Sequence, residues 1–232
     1  MKSNPLKALV QKAFGLAGLQ ISRKHAEPKY WGTGRLTPME ENSMELYDRF
    51  YGDAEAIEKY YQGHRMEFYK EVAGLLRTEN AGVDGKSVLD VGCGVGYLLA
   101  EIGKAFKPSS LSGSDFSEEA MVASRQKFPG IVFFQHDIGN PLGENYDVII
   151  CTEVLEHLEK PWQGLKNLRD ALNPGGCLVL TVPEGRRDYS NEHINFWSPE
   201  SWKAFLEREC TGAKRIHCRV IHTIFNFAIV QF

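Results

Sequence analysis

From position 87 onward, short apolar runs alternate with segments whose apolar residues recur at helical spacing. The runs predict strands over 87–91, 110–115, 131–135, 146–151 and 176–182. Between them, helices are predicted over 97–106, 118–127 and 161–172, the last stopped by Asn173-Pro174-Gly175-Gly176. Alternating strands and helices imply a parallel sheet covered on both faces. A further helix over 199–207 precedes two successive strand-like runs, 215–220 and 223–232, which predict a terminal antiparallel hairpin at the sheet edge. Upstream, Ile57, Tyr60, Tyr61, Phe68, Val72, Leu75 and Leu76 predict one helix over 54–77, broken by Gly82-Val83-Asp84-Gly85.

The chain divides accordingly into an N-terminal extension over 1–43, a helical cap segment over 44–82 and an α/β domain over 83–232. In the extension, residues 6–21 are fairly apolar and flanked by Lys2, Lys7, Lys12, Arg23 and Lys24. This stretch is too short and polar to span a membrane. It makes a poor signal peptide, because Gln11 and Lys12 interrupt the apolar run and no clear cleavage site follows. Two readings remain, a helix packed on protein and a basic amphipathic helix making peripheral membrane contact. Tyr30 and Trp31, beside Gly32 and Gly34, are candidate lid residues.

Composition narrows the class. Of 232 residues, 43% are hydrophobic and 25% charged, which suits a packed globular domain, and the net charge of -3 lacks the basic signature of a general nucleic-acid binder. The five cysteines are odd in number, form no C-x-x-C pair and mostly sit in apolar runs. They predict buried free thiols and a reducing, cytoplasmic setting.

The densest local signal is Asp90-Val91-Gly92-Cys93-Gly94-Val95-Gly96-Tyr97: a strand, glycines at alternate positions, then a helix. Such a loop lets a ligand approach the backbone at the carboxyl end of the strand. A dinucleotide-binding loop would need a third glycine where Tyr97 stands, which disfavours an NAD-dependent oxidoreductase. Gly85-Lys86-Ser87 is no phosphate-binding loop, since it precedes the strand and Asn80 replaces the required upstream glycine. Asp90 suits a cationic ligand better than a pyrophosphate. Asp115 follows the loop by about 20 residues, where a carboxylate can accept ribose hydroxyl protons. Asp137 follows the third strand, placed to accept from an adenine amino group.

With these residues the sequence resembles the class I S-adenosylmethionine-dependent methyltransferases, from position 87 to the end. The match takes in the glycine loop, Asp115, Asp137, Tyr146-Asp147-Val148-Ile149 and the Pro174-Gly175-Gly176 turn. The resemblance implies a Rossmann-like seven-stranded sheet with one antiparallel strand and S-adenosylmethionine as cofactor. It assigns Gly92, Gly94 and Gly96 to the methionine part, Asp90 to its amino group, Asp115 to the ribose and Asp137 to the adenine. Within the class, Thr152-Glu153-Val154-Leu155-Glu156-His157 with the later His193 is similar to the ubiquinone-biosynthesis and small-molecule group. That group implies two further cofactor contacts, Arg65 and Thr152.

The acceptor side leaves alternatives open. His157 or His193 could serve as general base for an acceptor hydroxyl, with Glu156 beside them. Glu153, Glu156, His157 and His193 could instead hold a divalent ion such as Mg²⁺, a spacing that resembles small-RNA 2′-hydroxyl methyltransferases. They could also merely shape the loop. The favoured expectation is methyl transfer to a hydroxyl of a small molecule, a sugar or polysaccharide precursor or a quinone-like phenol. The alternatives are a metal-assisted RNA 2′-O-methyltransferase and a noncatalytic cofactor-binding subunit. Tyr47, Phe50, Tyr51, Tyr61, Phe196, Trp197 and Trp202 are candidate pocket walls that could stack on a sugar or quinone-like ring, but most of them are expected instead to pack helices onto the sheet.

Overall fold

The computed structural model describes residues 42–188 and 190–232. The predicted lid residues Tyr30 and Trp31 and the apolar stretch 6–21 lie outside the described residues. Three helices come first: α1 (Met44–Tyr51), α2 (Ala54–Tyr60) and α3 (His64–Thr78). The order then runs β1 (Ser87–Val91), α4 (Tyr97–Ala105), β2 (Ser110–Asp115), α5 (Glu118–Lys127), β3 (Val132–Gln135) and β4 (Tyr146–Thr152). A 3₁₀ turn (Leu155–His157) leads to α6 (Pro161–Asp170), β5 (Leu172–Pro183), α7 (Pro199–Glu209), β6 (Arg215–Ile221) and β7 (Phe225–Gln231).

The seven strands form one sheet in the order β3-β2-β1-β4-β5-β7-β6. Neighbours from β3 to β5 are parallel, and β7 runs antiparallel to both β5 and β6. The predicted edge hairpin is therefore present. Strand order reverses between β1 and β4, so the carboxyl ends of these two strands open the crevice where such sheets bind ligands.

Two apolar layers clamp the sheet. On one face Phe68, Val72 and Leu76 of α3, Leu98, Leu99 and Ile102 of α4 and Met121 of α5 pack on Val88, Ile150, Val179 and Phe227. On the other, Leu165 and Leu168 of α6 and Trp202, Phe205 and Leu206 of α7 pack on Leu89, Ile149, Leu178 and Leu180. Strand alternation explains the division, since Val179 faces one layer while Leu178 and Leu180 face the other.

Two expectations need correction. The single helix over 54–77 is two: α2 stops at Tyr60, and Gly63 with φ +52 redirects the chain into α3. Asn173-Pro174-Gly175-Gly176 ends α6 as expected but interrupts β5 instead of preceding it. Leu172 pairs with Tyr146, and pairing resumes only at Cys177 with Val148. Of the aromatic candidates, Trp202 takes the core position expected of most of them, fully buried among Trp197 and Phe205. The five cysteines are free, and four are buried, as predicted. No helix among the described residues is long and apolar enough to cross a membrane.

Candidate active site

The glycine loop leaves β1 with left-handed backbone at Gly92, Gly94 and Gly96, at φ +76, +51 and +86. Space adds to the requirement for glycine. A Cβ at Gly96 would stand 2.6 Å from the Phe133 ring, and one at Gly94 2.3 Å from the Tyr61 hydroxyl. Asp115, at the end of β2, accepts from the Gly94 N–H at 3.0 Å and the Ser117 N–H at 3.1 Å. Burial pushes its carboxyl up to about 6, against the lowering effect of these hydrogen bonds. Asp90 is buried in β1, and its Oδ1 has no hydrogen-bond partner. Burial, then the charge of Asp115, raises its pKa well above the carboxylate range.

These features fit S-adenosylmethionine, the cofactor the sequence implies. An orphaned carboxylate oxygen needs a donor such as an ammonium group, and Asp90 presents one at the end of the strand that leads into the glycine loop. Thr152 ends β4 and is buried. Asp137 is exposed, and its Oδ1 accepts from the Gly139 N–H at 2.8 Å. Arg65, on α3, lays its guanidinium over the rings of Tyr60 at 4.8 Å and Phe68 at 5.6 Å.

Helices α1 and α2 cover the loop. Asp48 on α1 accepts from the Ser117 hydroxyl at 2.5 Å, fastening α1 to the start of α5. The Tyr61 hydroxyl accepts from the Val95 N–H at 3.2 Å. Tyr47 packs its ring on Phe116 at 5.0 Å and on His157 at 6.3 Å, linking the Asp115 corner to the second group of candidate residues.

That second group follows β4. The Val154 side chain sits on the glycine loop, 2.3 Å from where a Cβ on Gly92 would lie. Glu153 adopts φ +58 and accepts from the Thr181 hydroxyl at 3.0 Å. Burial pushes its carboxyl up to about 7, with the Arg65 charge opposing. Glu156 is fully buried, and neither carboxylate oxygen has a hydrogen-bond partner. Burial, then Glu153, raises its pKa well above the usual range. His157 Nδ1 meets Asn42 Oδ1 at 2.9 Å, and the Asn42 amide nitrogen donates to the Glu192 carbonyl at 2.7 Å. That second bond orients the amide, so His157 carries its proton on Nδ1 and presents a lone pair on Nε2. Burial, then His193, lowers the His157 pKa to about 3. His193 Nδ1 meets Asp188 Oδ2 at 2.6 Å, and the two imidazole rings stand 4.6 Å apart.

The chain is stapled to hold this geometry. The N–H groups of Ile194 and Asn195 both donate to the Glu156 carbonyl at 3.0 Å, and the Asn195 amide donates to the Leu158 carbonyl at 2.6 Å. One ligand atom each from Glu156, His157 and His193 lies within 4.8 Å of the others. The predicted catalytic trio is therefore brought together. The partners Asn42, Asp188 and Asn195 were not singled out from sequence: Asp188 and Asn195 lie close to His193 in the chain, whereas Asn42 lies 115 positions from His157.

Residues 89–178 match the methyltransferase domain family. Over these residues the chain is similar to methyltransferase domains. Relatives of this domain include a malonyl-[acyl-carrier protein] O-methyltransferase of Bacillus cereus, 28% identical over 67% of this chain and 58% of the relative. A ubiquinone biosynthesis O-methyltransferase of Vibrio parahaemolyticus is 32% identical over 44% of this chain and 45% of the relative. The chain spans 39%, 58% and 48% of the lengths of three malonyl-[acyl-carrier protein] O-methyltransferases that it matches. The fold of the methyltransferase domain is shared by a SAM-dependent methyltransferase from Aquifex aeolicus, with TM-score 0.61 and 18% identity over 77% of this chain and 98% of the other. It is shared too by magnesium protoporphyrin IX methyltransferase from Synechocystis, with TM-score 0.56 and 20% identity over 100% and 99% of the two chains.

Proposed function

We propose that this protein transfers the methyl group of S-adenosylmethionine to a hydroxyl group of a small molecule. The observation that carries this reading is the position of Glu156, His157 and His193, which gather acceptor atoms beside the glycine loop. Relatives named as O-methyltransferases add support for oxygen as the acceptor atom.

When bound, the cofactor supplies a methyl group already activated on a sulfonium, so alignment of the acceptor supplies much of the rate. On this reading Asp115 accepts from the ribose hydroxyls, which requires its ionised form. Asp90 accepts from the ammonium of the methionine part, while Gly92, Gly94 and Gly96 let that part lie against the backbone. Arg65, Thr152 and Asp137 complete the cofactor contacts, Asp137 toward the adenine amino group. Tyr47 and Tyr51 of α1 and Tyr61 wall the space above the loop and exclude water. The Glu156–His157–His193 cluster faces the acceptor hydroxyl and offers it hydrogen-bond partners. His157 alone is a weak base, because burial holds it near pKa 3 and an acid of that strength keeps no proton at neutral pH.

A sugar or polysaccharide precursor, or a quinone-like phenol, suits the aromatic surroundings of Tyr47, Tyr51 and half-exposed Phe196. The RNA 2′-hydroxyl alternative and the noncatalytic subunit draw no support from the relatives. Magnesium, the ion raised by the sequence, suits the cluster poorly, because two imidazoles beside a carboxylate are not the oxygen set that Mg²⁺ takes.

A screen reading S-adenosylhomocysteine formation over hydroxylated sugars and phenols tests the proposal. The expected result is turnover on a hydroxyl acceptor, with the methyl group found on oxygen. Turnover confined to nitrogen or carbon acceptors would refute it.

A further inference from the structure

Asp115 lies under cover. It is 5% exposed, so little of it is open to a ligand of nucleoside size while its surroundings stay as they are. The cover is α1 with α2. Asp48, Tyr47 and Tyr51 of α1 all lie close enough to Asp115 for charge to act between them. The Tyr51 and Tyr61 hydroxyls stand 2.7 and 2.3 Å from where a Cβ on Gly94 would lie, directly over the glycine loop.

This cover is lightly held. Helix α1 buries Leu46 alone, and none of the residues of α2 is buried, whereas α3 is anchored by buried Phe68, Val72 and Leu76. Elements with few buried apolar contacts open at a fraction of the global unfolding free energy. The boundary between loose and firm is Gly63. Its φ of +52 and ψ of -120 suit glycine, and nothing stands within 4 Å of where its Cβ would lie. Lid hinges are a few such positions at the ends of elements. Polar fastenings tie the cover down. Asp48 accepts from the Ser117 hydroxyl at 2.5 Å, and the Tyr61 hydroxyl accepts from the Val95 N–H at 3.2 Å.

We propose that α1 and α2 form a lid that swings about Gly63 to admit and release the cofactor, with Asp48 as its latch. The proposal rests on the reading of the glycine loop and Asp115 as the cofactor site. The latch sits where the cofactor would be felt. Ser117 opens α5, and its N–H also donates to Asp115 at 3.1 Å, so a ribose held by Asp115 lies next to the latch. Asp48 rests on the N-terminal turn of α5, where negative charge is favoured, while the nearby Asp115 carboxylate opposes it. Such a balance holds the lid without locking it. Closure also reaches the acceptor side. Asn42, two residues before α1, bonds His157 at 2.9 Å, and the Tyr47 ring packs on His157 at 6.3 Å. The acceptor side is therefore complete only with the lid down.

The test is hydrogen exchange read by mass spectrometry on the full chain, with and without S-adenosylhomocysteine, together with a chase of the radiolabelled ligand to time its release. In the wild-type protein, amides over 44–60 should exchange at least about tenfold faster than those over 68–76, and the ligand should slow them by about tenfold. Asp48→Ala removes the latch but leaves Ser117 to cap α5 by accepting from the Ala120 N–H. It should speed both ligand release and lid exchange in the free protein by about tenfold, with exchange over 68–76 unchanged. Tyr61→Phe should do the same by about threefold, and this conservative change keeps the lid testable if Asp48→Ala folds poorly. Lid amides as slow as those of α3 and indifferent to the ligand would overturn the proposal. So would release unaltered in both variants. Faster release with lid exchange unchanged would overturn it too, since Asp48 and Tyr61 would then be direct contacts of the ligand. Any of these results with ligand bound to the wild type removes the lid and leaves the cofactor site standing. No binding by the wild type removes both.

Discussion

Replacing Gly96 with alanine separates two reasons for glycine in the loop. The first is backbone: Gly96 sits at φ +86 and ψ 19, where an L-residue costs roughly 1–2 kcal/mol. The second is space. The new Cβ would meet Phe133 Cζ at 2.6 Å and Cε1 at 2.7 Å. Phe133 is 6% exposed, and its ring is also pressed toward Gly113, so it has little room to retreat. Overpacking of this kind costs about 1–3 kcal/mol. The two together come to roughly 2–5 kcal/mol, a large share of a typical domain stability of about 5–15 kcal/mol. Gly175→Ala is the control, because Gly175 has φ +80 and nothing within 4 Å of a Cβ. Urea denaturation should show a loss of roughly 1–2 kcal/mol for Gly175→Ala and at least about 1 kcal/mol more for Gly96→Ala, with m unchanged. Gly96→Ala should also weaken S-adenosylhomocysteine binding, whereas Gly175→Ala, at the other end of the strands, should not. Equal losses for the two variants would refute the steric argument.

Three further outcomes follow from the geometry. Asp115 must be ionised to accept from ribose hydroxyls, and burial raises its pKa to about 6, so its ionised fraction falls as pH drops through that value. Calorimetric affinity for S-adenosylhomocysteine should therefore decline below pH 6 by up to about tenfold per unit, a slope that Asp115→Asn abolishes. Trp202→Ala should cost about 3–5 kcal/mol in urea denaturation. Trp202→Phe should cost less than half of that, since it deletes an indole N–H that has no partner. Arg65→Met should raise KM for S-adenosylmethionine about tenfold, on the order of 1.4 kcal/mol, in steady-state assays; an unchanged KM would remove Arg65 from the cofactor site.

Much of the fold is legible along the chain because the sheet segments are local patterns. Strand β2 and helix α5 occupy the predicted 110–115 and 118–127, the latter opened by Ser117, whose side chain accepts from the Ala120 N–H. The α2–α3 break escaped notice because apolar spacing carries on through Tyr60 and Tyr61 and masks the turn at Gly63. Which aromatics wall a cavity and which enter the core was not legible, since a side chain such as Trp202 on the 199–207 helix reads alike in the sequence either way. The glycine loop and Asp115 were legible for the same reason as the strands: their spacing is local. What holds the histidines was not, since Asn42 reaches His157 across 115 positions and only the folded chain brings them together. Asp188 lies five residues from His193, but its role depends on the loop curling back.

The most direct test of the methyltransferase account is calorimetric binding of S-adenosylhomocysteine to the wild-type protein and to Asp115→Ala. The account predicts one site per chain in the wild type, and binding lost or severely weakened in the variant while its thermal unfolding stays cooperative. No binding by the wild-type protein, or equal binding by the two, would contradict it.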